Sequence, residues 1–307
     1  MSAEPVFPET QSVDLGKVGI WSGALNGTPV GQVQEIAREI EELGYGALWY
    51  GEAPSGRDTF TQALMLLGAT EKLVVATGIA NIYLRDATVA NAGARTIAAL
   101  HPNRFLLGLG ASHAPAIDAM TQRTYGKPVA SMRAYLDAMA ETPLRIPEGR
   151  EPAPPVLLAA LGPKMLELAR DRTQGAHPYL VTPEHTAIAR EAVGPDRLVA
   201  VEQGVVVTND RETALRHART HLEMYKVLPN YRNNWLRLGF TEEDVSGDLS
   251  DRLVEALIAW GDEETIYERV AEHQAAGADH VCLQVLGDRR SDVAIEGIRR
   301  LAPSQRG

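Results

Sequence analysis

The chain has 307 residues, 45% hydrophobic and 23% charged, which is globular composition and a length for one large α/β domain or two smaller ones. A formal net charge of −10 at pH 7 argues against nucleic acid or an anionic membrane surface as partner, while leaving room for a local basic pocket that takes one phosphate. One cysteine, Cys282, rules out a disulfide framework or a thiolate metal cluster and reads as a buried structural thiol.

The opening 14 residues, MSAEPVFPETQSVD, lack the basic and apolar regions of a secretory signal and read as a flexible lead-in. No run approaches 18 uninterrupted apolar residues, so no membrane span and a cytoplasmic protein are expected. KVGIW (17–21) reads as a first strand. A helix follows, with Thr28 as N-cap, Pro29 in its first position, an apolar face of Val33, Ile36, Ala37, Ile40 and Leu43, and Gly44 at its end. ALWYGE (47–52) is a second strand, and TFTQALMLLGAT (59–70) its helix. The apolar run Leu73 to Ala76 is a third strand, with the helix TVANAGARTIAALH (88–101) after it. RFLLGLGAS (104–112) is a fourth, followed by a long connection and the helix VASMRAYLDAMA (129–140). VLLAAL (156–161), GAHPYLVT (175–182) and LVAVEQGVVVT (198–208) continue the beat, the first two each with a helix behind. A mostly helical insertion over about 210–262 precedes the last strand, HVCLQVL (280–286), and a final helix near 292–301.

Eight strand-then-helix units predict a single-domain (β/α)₈ barrel, an α/β fold of TIM type with a helical insertion before the last strand. The rival is a doubly wound open sheet, but GALNGTPVG lacks the glycine spacing of a dinucleotide-binding turn.

Barrel chemistry sits at the C-terminal strand ends, and small residues dominate there, as suits a flat ligand or simply tight turns. Glycine just past the third strand, at Gly78, often marks a bulge or a close ligand approach. In LGPKMLELA, Gly162 and Pro163 open a helix with Lys164 in its first turn, either an anion site or an ordinary helix start with a solvated lysine. Glu52, at the end of the second strand, reads as a catalytic acid or base, a ligand-holding group or a solvated carboxylate. His113 opens the long connection and reads as a proton carrier or a hydrogen-bonded loop histidine. The scattered histidines predict no metal; His217 and His221, four apart, are expected on the surface.

HPNRFLLGLGAS, ALWYGE, TGIAN, YGKPVASMRAYLDAM and GDEETIYERVAEHQAAGADHVCLQV together resemble the luciferase-like monooxygenase family, in particular its branch that uses the deazaflavin coenzyme F-420. The resemblance covers roughly residues 17–302, apart from the insertion. It implies a barrel that holds a reduced deazaflavin (an 8-hydroxy-5-deazaflavin), or FMN, in its mouth. It further implies a bulge after the third strand with a non-proline cis peptide at Gly78-Ile79 behind the ring. Cofactor contacts implied are Gly78, Ile79, Ala80 and Asn81, then Gly110, Ala111 and Ser112, then Leu161 to Met165 (Leu161, Gly162, Pro163, Lys164, Met165), with His177 and Tyr179 after the sixth strand. Many relatives carry a histidine after the second-strand glutamate; here Ala53 and Pro54 follow, so either Glu52 or His113 handles the proton or the substrate needs no acid.

The expected function is therefore F-420-dependent hydride transfer to or from a small organic substrate, in a homodimer. The alternatives are an FMN-dependent monooxygenase and, in another class, a flavin-binding barrel without turnover. A phosphate-sugar aldolase or isomerase would need a lysine in a strand core, and none of the eight expected strand cores contains one.

Overall fold

The computed structural model describes residues 4–287 and 293–305; residues 1–3 of the lead-in and residue 292 of the expected last helix lie outside them. Ten strands are present among the described residues: β1 (Val18–Trp21), β2 (Ala47–Tyr50), β3 (Val74–Thr77), β4 (Ala80–Asn81), β5 (Phe105–Gly110), β6 (Val156–Leu158), β7 (Gly175–Ala176), β8 (Leu198–Val207), β9 (Ile258–Gly261) and β10 (His280–Val285). The helices are α1 (Val30–Glu42), α2 (Thr59–Ala69), α3 (Ala87–Leu100), α4 (Ala114–Met120), α5 (Pro128–Glu141) and α6 (Pro163–Arg172). They continue with α7 (Pro183–Val193), α8 (Arg211–Leu222), α9 (Pro229–Arg237), α10 (Asp251–Leu257), α11 (Glu263–Ala275) and α12 (Ile295–Arg300).

All pairings are parallel, in the order β1-β2-β3-β5-β6-β7-β8, and β10 pairs with both β8 and β1, which closes the barrel. β4 continues β3 beyond a bulge and pairs with β5, and β9 flanks residues 204–207 of β8. The strand period of two sorts the core into two layers. Leu48, Tyr50, Val281 and Leu283 face the helices, while Ala47, Trp49, Leu106, Leu157 and Cys282 fill the barrel. Cys282 is fully buried, as its apolar run required.

Side-chain caps fix several helix starts. Asp58, Asp86, Asp210, Ser250 and Asp262 each accept a backbone N–H of the first turn of α2, α3, α8, α10 and α11. Such caps contribute about 1 kcal/mol each. α1 differs from expectation by one residue: Pro29 is its N-cap, and Thr28 instead closes the 3₁₀ turn over Ala24–Gly27, its Oγ1 donating to Ala24 O.

Other departures have clear causes. The lead-in is not loose from residue 6 on: Val6 and Phe7 are buried, Val6 N–H bonds Arg172 O, and Thr10 pairs with Ala153. The long connection after β5 contains α4, and the insertion contains β9 as well as helices. His221 is buried rather than on the surface, because it lies on the same face of α8 as Ala214, Ala218 and Leu222. Among the described residues no helix is long and apolar enough to cross a membrane.

Candidate active site

A cavity of about 420 Å³ opens at the C-terminal end of the barrel, within the range of small-ligand sites. Its walls come from six places. Ile79 projects from the β3–β4 bulge, and residues 110–113 follow β5. Residues 159–165 run from β6 into α6; His177 and Tyr179 follow β7; Asn230 and Tyr231 descend from α9. Tyr125, Pro128 and Val129, around the start of α5, complete the rim. No carboxylate is among these lining residues, and Lys164 is the one lysine or arginine.

The bulge explains why β3 ends in glycine. A Cβ on Gly78 would stand 2.6 Å from Trp21 Nε1, closer than side-chain carbons come, and a tight 3.0 Å from His177 Nε2. Trp21 Nε1–H donates to Gly78 O, and the Gly78-Ile79 peptide is cis. Gly78 therefore does not line the cavity as the resemblance implied; it makes room for Trp21 and His177, and Ile79 forms the wall. Gly110 serves the same packing, since its Cβ would lie 2.4 Å from Ile79 Cγ1. Ala80 and Asn81 are buried behind this wall, Ala80 paired with Leu109 and Asn81 with Gly110.

Glu52 is likewise behind the wall. Its carboxylate accepts from Asn81 N–H and is ion-paired with Arg85, so it does not face the cavity as a free acid or base. His113 does face it. The ring lies 5.6 Å from that of Tyr231, and burial holds its pKa below the ordinary value, opposed by the Asn230 side chain. A neutral imidazole near pH 7 results, able to accept or relay a proton.

His177 is 1% exposed and stacks on Trp49, centroids 4.4 Å apart. Its Nδ1 lies 2.8 Å from Ala200 O. A carbonyl only accepts, so Nδ1 carries the hydrogen and Nε2 is left as an acceptor. Burial, with His280 adding to it, lowers the pKa to about 4, which fixes this neutral form. Nε2 has no hydrogen-bond partner although His177 lines the cavity. Such an orphaned acceptor is uncommon in a folded protein; this one has no exposed surface and lies beside Gly78.

Tyr179 donates to Gln284 Oε1 at 2.7 Å and lies 3.0 Å from the Tyr225 hydroxyl. Burial and the neighbouring Tyr225 raise its pKa well above the ordinary range, so it stays a neutral phenol. At the other end, α6 begins at Gly162 without a side-chain cap, and Lys164 is exposed in its first turn. The Lys164 N–H, the helix dipole and the ammonium all favour an anion.

The structure thus gathers Ile79, Gly110, Ala111, Ser112, His113, Leu161 to Met165, His177 and Tyr179 around one cavity, and leaves Glu52, Gly78, Ala80 and Asn81 as its backing. Sequence reasoning missed Tyr125, Pro128 and Asn230 as parts of the site. The length of the connection after β5 signalled the first two. Tyr231, with Tyr225, Trp235 and Phe240 an aromatic of the insertion, reads from sequence either as a cap on the mouth or as helix packing, and it lines the cavity.

A family model described as luciferase-like monooxygenase matches residues 11–280. A Mycobacterium tuberculosis protein named as a coenzyme F-420-dependent oxidoreductase is 22% identical over 322 residues, covering 85% of this chain and 92% of its own. The solved structure of an F-420-dependent secondary alcohol dehydrogenase with an F-420-acetone adduct superposes with a TM-score of 0.71 at 16% identity, over 93% of this chain and 97% of that one. The oxygenating constituent of 3,6-diketocamphane monooxygenase from Pseudomonas putida, in complex with FMN, gives 0.67 at 15% identity, over 94% and 96%. At these identities the structural likeness establishes the fold.

Proposed function

Because this chain belongs to the luciferase-like monooxygenase family, we propose that it is an F-420-dependent oxidoreductase acting on a small organic substrate. The observation that carries this reading is the cavity itself. It has an apolar wall at Ile79, the neutral His177 ring beside it, and a cationic helix start at Lys164. These residues would fit a tricycle with an anionic tail: Ile79, Ala111 and the His177 ring would flank the ring's apolar body, and the α6 start with Lys164 would hold a phosphate. When bound, the deazaflavin supplies or accepts a hydride at C5.

The protein's own part is orientation and proton handling. His113, neutral and half-buried, holds or moves the proton of the substrate oxygen. Tyr231 and Asn230 fix its ring, and the tyrosine-lined upper wall limits water. The M. tuberculosis relative and the alcohol dehydrogenase favour F-420 by their names. The FMN-bound neighbour supports the second reading, an FMN-dependent monooxygenase on the same scaffold.

The test is anaerobic oxidation of reduced F-420 against a panel of small ketones, aldehydes and enones, beside oxygen uptake with reduced FMN. Oxygen-independent turnover of F-420 is expected. Turnover only with FMN and oxygen would overturn the reading in favour of the monooxygenase, and turnover with neither would favour a binding protein.

A further inference from the structure

We propose that Arg85 is a positioning residue of this site: paired with Glu52, it clamps the bulge that carries Ile79 and, through Asn81 and Tyr83, braces the neighbouring wall of the cavity after β5. The inference rests on the flavin reading above for its purpose, and on geometry alone for its existence.

Glu52 grips the bulge at two points. Its backbone N–H donates to Ile79 O at 3.1 Å, and its carboxylate Oε2 accepts from Asn81 N–H at 2.8 Å. That carboxylate is 2% exposed, so it needs a compensating charge. Arg85 provides it with two nitrogens: Nη1 donates to Oε2 at 2.8 Å, and Nη2 bonds Oε1. Arg85 is itself held by Asp58, 3.0 Å away, and by the ring of Phe60, 4.8 Å beneath the guanidinium.

The brace continues from Asn81. Its Oδ1 accepts Tyr83 N–H at 2.9 Å, and the Tyr83 ring packs 5.3 Å from that of Tyr125. Tyr125 lines the cavity and donates to Ser112 O at 3.1 Å, and Ser112 lines it too, with φ of 55°. One buried ion pair therefore sets the position of Ile79 on one side and, through three residues, of Ser112 on another. Displacement of a site wall by about 1 Å is enough to lose binding or rate. Removing Arg85 leaves a buried carboxylate that must reach water or take a proton, and either change loosens its hold on Asn81.

The test compares Arg85→Met and Arg85→Lys with the control Arg211→Met, which removes an exposed pairing to Asp251 and Glu255. Hydrogen exchange of the 78–83 segment is followed in the ligand-free protein, and F-420 and FMN affinities by fluorescence. Arg85→Met is expected to speed exchange of the Ile79–Asn81 amides at least tenfold and weaken flavin binding at least tenfold, with Arg85→Lys intermediate and the control unchanged. Exchange and affinity both within twofold of wild type would overturn the proposal, as would faster exchange with unaltered affinity. Should Arg85→Met fail to fold, Arg85→Lys decides by the same two readouts. If wild-type protein binds neither flavin, the functional reading fails, and exchange alone decides the clamp.

Discussion

His177 and Glu202 lie in the same barrel interior, and burial pushes both toward neutrality from opposite sides. His177 and His280 fall to about 4, while Glu202, fully buried with Oε1 unpartnered, rises from 4.5 to about 8. A depressed histidine means the unfolded chain binds the extra proton, so stability falls as pH drops from about 6.5 toward 4. A raised carboxyl means the folded chain keeps the proton, so stability also falls as pH rises from 4.5 toward 8. The two windows overlap from 4.5 to about 6.5, where two histidines outweigh one carboxyl, so urea midpoints measured across pH should peak near 6.5 and fall on either side. Glu202→Gln is expected to flatten the alkaline limb by a few kcal/mol, of order the shift itself, and an unchanged limb would show that Glu202 is not buried as described. At the cavity, His113→Gln is expected to cut turnover by about 10²-fold or more, the usual worth of a positioned acid or base. F-420 affinity should change little, which separates a proton role from a binding one.

At the scale of elements, the β3–β4 bulge and the start of α6 supply the two ends of the cavity. Gly78→Ala places a methyl carbon 2.6 Å from Trp21 Nε1, and the displaced indole takes its bond to Gly78 O with it. Overpacking of this kind costs about 1–3 kcal/mol; thermal denaturation should show that loss together with weaker flavin binding. Lys164→Ala is expected to weaken flavin binding about tenfold at low salt and less as salt screens the exposed charge. A salt-independent loss would contradict an ionic role. Much of this was legible in sequence, because Gly78 closes a β-branched run and Gly162-Pro163 opens a helix. Arg85 was not, since nothing in LRDAT foretells that its side chain folds back across the strand end to Glu52. Glu52 looked like an open strand-end acid for the same reason: its partner lies 33 residues away.

Over the whole molecule, the alternation of apolar runs with helical stretches was enough to predict the closed barrel, because a strand covered on both faces leaves an unbroken apolar signature. Short or hidden elements were not visible. β7 has two residues, α4 seven, and β9 follows α10 directly within LVEALIAW, where helix and strand share one apolar stretch. His221 could have been placed correctly, for it continues the buried face set by Ala214 and Ala218. Asn230 and Tyr231 could not, since only the fold of the insertion brings α9 over the mouth. The central claim is that this mouth is a deazaflavin site, and it is tested most directly by titrating the ligand-free protein with oxidised F-420 and, separately, FMN while following ligand fluorescence. The account predicts saturable binding with a clear preference for F-420, weakened in Lys164→Ala. Tighter binding of FMN, or binding of neither, would contradict it.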